Sequence, residues 1–155
     1  VDVLQNHPNT YLLFAGDGPL RASIELHVWQ KQLDRHIRFL GSITDVRPLL
    51  AGSAMSIVPS TAETFSMAML ESLAMEVPVI ATAVGGSSEA VQDGQTGLLV
   101  PPRDVIALAL AIEQLIVDAE ARKKMGEMGR ALIKERFTQR GMQAATSEVL
   151  KSVQC

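Results

Sequence analysis

Glu63 and Glu71 stand eight positions apart in Glu63-Thr64-Phe65-Ser66-Met67-Ala68-Met69-Leu70-Glu71, and the second interrupts an otherwise apolar run. Met67, Leu70, Leu73, Ala74 and Val77 recur at helical spacing, so this segment reads as a largely buried helix. The residues one turn from Glu71 are Met67, Ala68, Ala74 and Met75, none of which can pair with a carboxylate. A buried charge without donors is so costly that the protein must supply them or neutralise it. A ligand rich in hydroxyl groups would serve. The alternative is a surface loop acid together with a core carboxylate held by backbone amides.

The elements around the pair favour a ligand. Residues 55–58 read as a short buried strand and 59–62 as the loop leaving it, with a helix following from about Thr64 or Ser66. Glu63 therefore lies in a strand-to-helix crossing. In open parallel sheets ligands bind at the carboxyl ends of strands, where helix amino ends offer free amides to anions. One loop thus combines anion-binding amides with two hydroxyl acceptors, an arrangement suited to a phosphorylated sugar.

The rest of the chain alternates in the same way. Strands are expected at 10–15, 37–40, 55–58, 78–82 and 98–100, with helices at about 19–33, 45–51 and 87–92 besides the Glu71 helix. This is the pattern of an α/β protein with a parallel sheet. After Pro101-Pro102 only helices follow. Val105, Leu108, Ala109, Ile112, Leu115 and Ile116 define the first, and 119–136 and 138–153 the next two, with Gly126 and Gly129 allowing close packing or a break. Residues 1–155 read as one domain, its sheet part at about 10–100 and its helical part at about 103–153.

Composition removes several function classes. A formal charge of -3 and no basic stripe argue against a nucleic-acid partner, and Arg122-Lys123-Lys124 reads as a solvated helix face. The lone Cys155 excludes an internal disulfide framework and suits a reducing compartment. Without a leader or an apolar run of spanning length, the expected place is the cytoplasm. His7, His27 and His36 lack metal-ligand spacing, so no metal is expected. Gly16-Asp17-Gly18-Pro19 invites a dinucleotide reading, with Pro19 suited to a first helical position, but Arg21 occupies the third glycine position of that fingerprint. Gly85-Gly86 permits close backbone approach or positive φ, and Ser87 with Glu89 suits a helix start. Asp93-Gly94 and Thr96-Gly97 are turn chemistry. No Ser, His and Asp set for nucleophilic catalysis can be assembled, and there is no P-loop.

Read in order, Phe14-Ala15-Gly16-Asp17-Gly18-Pro19, Ile37-Arg38-Phe39-Leu40-Gly41, Val58-Pro59-Ser60, the Glu-x7-Glu segment, Pro78-Val79-Ile80-Ala81-Thr82, Gly85-Gly86 and the run from Asp93 through Pro101 form one series. This series resembles the C-terminal, donor-binding half of a retaining glycosyltransferase of family 4. The resemblance implies a Rossmann-like parallel sheet with flanking helices, the C-terminal half of a GT-B fold, lacking its first strand. It implies a catalytic place for Glu63 at the donor sugar near the reacting carbon, and ribose hydroxyls donating to Glu71. Amides matching Phe65, Ser66, Met67 and Ala68 would face the sugar and diphosphate. Gly16 would belong to the donor site, Ile43 would offer backbone contacts to the base, and Asp45 would lie nearby. The substrate would be a UDP- or GDP-sugar, transferred as a hexose-type unit in polysaccharide or glycoconjugate biosynthesis, with no cofactor or metal.

Departures from the family pattern carry their own implications. Thr64 and Ser66 stand where glycine is common and Ser88 where proline is, which narrows the sugar pocket and leaves specificity open. The family's Arg and Lys for the diphosphate have no match, nor does the N-terminal domain that carries the acceptor site, so the chain reads as a fragment, inactive alone. The intact enzyme could sit at a membrane surface. With the family's strand order, the strands at 10–15 and 55–58 would either pair directly or flank a vacancy. The rival readings are a nucleotide-sugar epimerase of related fold, against which the Glu63 to Glu71 spacing argues, and a flavodoxin-like regulatory domain, which would need an acidic cluster after the first strand.

Overall fold

The computed structural model describes residues 2–153 and forms two compact units, Val1–Val46 and Arg47–Cys155. Cys155 itself lies outside the described residues.

The first unit runs α1 (Asp2–Asn6), β1 (Leu12–Ala15), α2 (Arg21–Gln30) and β2 (Ile37–Gly41). The two strands pair in parallel, Leu12 opposite Ile37 and Phe14 opposite Phe39, and α2 is the crossover that parallel pairing requires. The core is thin: Val28 is buried and Phe14 stacks on Phe39 with centroids 4.9 Å apart, yet all four residues of β1 stay exposed. Helix α2 is shorter than its sequence pattern at both ends. Pro19 precedes it, because Asp17 shapes the turn by accepting from the Gly18 amide at 2.8 Å. Arg21 then bridges Asp17 at 3.1 Å and Glu25 at 2.8 Å, so the residue that breaks the dinucleotide fingerprint is an ion-pair clamp. At the far end Gln32 takes a φ of +56°, which stops the helix before Leu33.

The second unit contains α3 (Arg47–Ala51), β3 (Ser56–Val58), α4 (Met67–Ala74), β4 (Val79–Thr82), α5 (Ser87–Ala90), β5 (Gly97–Val100), α6 (Val105–Val117), α7 (Ala119–Arg136) and α8 (Gln139–Val153). Its sheet has the order β3-β4-β5, all parallel, with Val58 opposite Ala81 and Ala81 opposite Leu99. The central strand β4 is buried throughout and apolar up to its last residue, Thr82, as suits a strand covered on both faces. Its side chains alternate between two cores. Val79 and Ala81 pack with Met69, Leu73, Ala90 and Val91, while Ile80 packs with Val100, Ala111, Leu115 and Met125.

Side-chain caps set the carboxyl-terminal helices. Asp104 accepts from the Ile106 and Ala107 amides at 3.1 and 2.9 Å, and Asp118 accepts from Ala121 at 2.8 Å. Helix α7 passes through Gly126 and Gly129 unbroken. A β-carbon at Gly126 would lie 2.0 Å from the Glu76 carbonyl oxygen, and one at Gly129 would lie 2.7 Å from a Leu73 methyl. The two glycines therefore serve close packing of α7 on the end of α4.

All five expected strands are present among the described residues, in two sheets, β1-β2 in the first unit and β3-β4-β5 in the second.

Candidate functional site

The loop of residues 59–66 carries Glu63 from β3 to α4, and its backbone is fixed at several points. Pro59, which has no amide hydrogen, follows the last paired residue of β3. The next link is made by a side chain: Thr82, at the end of β4, donates its hydroxyl to the Ser60 carbonyl. The Ser60 hydroxyl in turn donates to Glu63 Oε2 at 3.5 Å. Further along, the Gly86 amide donates to the Thr64 carbonyl at 2.9 Å.

Gly85 and Gly86 are required here in the strict sense. With φ at +50°, Gly85 lies so close to the loop that a β-carbon would fall 1.6 Å from the Glu63 carbonyl oxygen. One at Gly86 would fall 2.6 Å from the Thr64 carbonyl and 2.8 Å from the Phe65 ring. Of the two uses the sequence left open for these glycines, Gly85 serves both. Phe65 also meets Phe137, just beyond α7, with ring centroids 5.5 Å apart. The loop is thus held between the β4–α5 turn and the end of α7.

Helix α4 starts where this loop ends. Ser66 is extended, 8% exposed, and its hydroxyl makes no capping bond, so no side chain satisfies the first amides of the helix. The amino end of α4 is therefore an uncapped cluster of donors with a positive dipole end.

Glu71 requires a correction. The apolar spacing suggested that the helix buries its carboxylate, whereas Glu71 is exposed, together with Ala68 and Met67, which is 64% exposed. The buried stripe is instead Met69, Ser72 and Leu73. Ser72 enters it because its hydroxyl donates to the Ala68 carbonyl at 2.7 Å and leaves no polar group unsatisfied. Leu70 and Ala74 sit at the edge between the two stripes, which is why their periodicity pointed to the wrong face. Met67, Ala68 and Glu71 instead make an open face one turn long, leading away from the uncapped amides.

The remaining predicted residues belong to the first unit. Gly16 and Ile43 line one open pocket of about 250 Å³ with Ala15, Ser42 and Val46. That volume falls below the range for whole small-molecule ligands, and suits part of one. The Gly16 amide donates to the Gly41 carbonyl at 2.7 Å, which joins the turns after β1 and β2. Asp45 is exposed in the segment between β2 and α3 and is itself engaged in an interaction. The sequence-predicted residues thus form two groups, Gly16, Ile43 and Asp45 in one unit and Glu63, Phe65 to Ala68 and Glu71 in the other.

Sequence reasoning missed the supports of the loop. Thr82 and Ser60 both fall in recognised motifs, but nothing in their spacing shows that one holds the other. Phe137 lies 72 positions from Phe65 and carries no local signal. Among the described residues no group of three or more His, Cys, Asp or Glu side chains could hold a metal ion, and no helix is long and apolar enough to cross a membrane.

Residues 1–132 match the family of glycosyl transferases group 1, and the chain belongs to it. N-acetyl-alpha-D-glucosaminyl L-malate synthase of Bacillus anthracis is 37% identical over 126 residues, which make up 81% of this chain and 33% of that protein. Glycogen synthase of Mycobacterium tuberculosis is 31% identical over 147 residues, 94% of this chain and 36% of that protein. Among solved structures, Anabaena HepE in complex with UDP superposes with a TM-score of 0.89 at 27% identity, covering 97% of this chain and 43% of that one. The C-terminal domain of a group 1 glycosyl transferase from Francisella tularensis gives 0.80 at 27% identity, covering 89% and 75%. The fold is α/β, as expected, and corresponds to the C-terminal half of a GT-B enzyme. The chain spans about a third of the length of the curated relatives it matches.

Proposed function

We propose that these residues bind the nucleotide-sugar donor of a glycosyltransferase and that the longer protein transfers a hexose-type unit from it with retention of configuration. The observation that carries this reading is the uncapped amino end of α4, opening between Glu63 in the loop before it and the exposed Glu71 one turn on. Anions bind such an end through free amides and the helix dipole. In this reading the amides of Phe65, Ser66, Met67 and Ala68 meet the sugar and diphosphate, while Glu71 accepts from the ribose hydroxyls. Its exposure supports that role, because a carboxylate already enclosed in the core could not reach a ligand. For the base, the family resemblance assigns Gly16, Ile43 and Asp45, which belong to the first unit and are proposed as a group by themselves.

Transfer passes through a transition state with positive charge at the anomeric carbon and growing negative charge on the departing diphosphate. Glu63 stabilises the first and the α4 amides the second. The acceptor attacks from the face the leaving group vacates, assisted by the diphosphate. The nucleotide sugar is a substrate, and neither a cofactor nor a metal enters the scheme. A UDP-sugar is the first donor to test, since HepE has been crystallised with UDP-glucose. The acceptor and its binding residues are assigned to sequence beyond these residues, and the enzyme to the cytoplasm, at most peripheral to a membrane.

A flavodoxin-like regulator finds no support, because Asp17 is engaged by the Gly18 amide and Arg21 and stands alone. Calorimetric titration with a panel of nucleoside diphosphates separates the two: a donor site binds at least one, and a regulator ignores them all.

A further inference from the structure

We infer that Thr82 is a positioning residue for Glu63, acting through Ser60. The inference rests on the donor-site reading above and adds to it the device that aims the carboxylate. Thr82 is the last residue of β4, in the middle of the sheet, and is 4% exposed. A hydroxyl there must find a partner, since a buried donor left unsatisfied destabilises the fold. Its partner is the Ser60 carbonyl, on the loop and not in the sheet.

The position of this bond gives it a purpose. Backbone pairing between β3 and β4 ends with Val58 opposite Ala81, and Pro59 has no amide to extend it. The Thr82 hydroxyl takes over one step beyond the ladder and ties the first free residue of the loop to the most buried strand. Ser60 then reaches Glu63 Oε2 with its own hydroxyl at 3.5 Å, near the outer limit of a hydrogen bond. Because this is the link between Ser60 and the Glu63 carboxylate, a shift of the Ser60 backbone moves the hydroxyl out of reach, so the direction of the carboxylate depends on where that backbone is held. On the other side Gly85 abuts the Glu63 carbonyl, which leaves the loop no room to settle elsewhere. The chain Thr82, Ser60, Glu63 therefore transmits the rigidity of the central strand to the acid at the sugar.

The test compares affinities for UDP and UDP-glucose, because a group that acts on the sugar alters the second and spares the first. Calorimetry on the unaltered chain, T82V, T82S, S60A and E63Q gives the ratio directly. Thr82→Val preserves shape and removes the hydroxyl, and should cut the preference for UDP-glucose over UDP about 10-fold, an order expected for a misdirected contact. Thr82→Ser should restore it. Ser60→Ala leaves the β4 core intact and should reproduce the T82V ratio, which keeps the inference testable even if T82V folds poorly. An E63Q ratio equal to that of the unaltered chain would remove Glu63 from the sugar. An altered ratio in E63Q with unaltered ratios in T82V and S60A would overturn the role of Thr82 alone. If the unaltered chain binds neither compound at millimolar concentration, the donor-site reading fails, and this inference with it.

Discussion

Glu71 is exposed on α4, and under the proposed function it would accept a charge-assisted hydrogen bond from a ribose hydroxyl. Replacing it with glutamine should weaken nucleotide binding by about 1 to 3 kcal/mol, measured by calorimetry with UDP. Equal affinities for the two proteins would end the ribose assignment. A second residue-level outcome concerns acid. The Gly18 amide and then Arg21 hold the Asp17 carboxyl below its ordinary value. Its contribution to folding is therefore present above the unfolded-state value and lost as pH falls through the lower, folded one. A carbon-detected NMR titration should place the Asp17 midpoint below the ordinary aspartate value, and in Arg21→Gln the difference should shrink. The placement of Glu63 on the loop and Glu71 on the helix was legible from sequence, because both elements follow from local pattern. The exposure of Glu71 was not, because a helix with apolar residues on two adjoining stripes gives two acceptable faces, and only packing chooses between them.

At the scale of elements, the site depends on a loop pinned by its neighbours. Alanine at Gly85 would need both a left-handed backbone and space already held by the Glu63 carbonyl. Backbone strain and overpacking together should destabilise the protein by roughly 2 to 5 kcal/mol, measured by urea unfolding, and should abolish binding of UDP-glucose. Unchanged stability would contradict the close approach described. The strands and helices were legible to within a few residues because period-two and period-3.6 patterns are local. The helix expected from residue 119 begins there, and the structure shows what fixes its start, as Asp118 accepts from the Ala121 amide. The errors fell where side chains override pattern, as at α2, where Arg21 and Asp17 delay the start.

At the scale of the whole chain, the two units differ in how well they are filled. Around β4 lie two buried clusters, whereas Val28 is the buried apolar residue described in the first unit and β1 is exposed along its length. Small two-stranded sheets are marginal in water and exposed strands invite association. Hydrogen exchange should therefore be slowest in β4, β5 and α4 and much faster in β1, β2 and α8. Uniform protection would contradict this account. Sedimentation should also reveal concentration-dependent association. The purified 155-residue chain should show no glycosyl transfer with any sugar nucleotide, and robust turnover would refute the assignment of the acceptor site to other sequence.

The central claim is that the amino end of α4, with Glu63 and Glu71, receives a nucleotide sugar. Amide and side-chain NMR of the chain titrated with UDP-glucose tests it most directly. The account predicts that the largest shifts fall on the amides of residues 64–68 and the Glu71 side chain. Saturable binding that leaves residues 63–71 unmoved, or no binding at all, would contradict it.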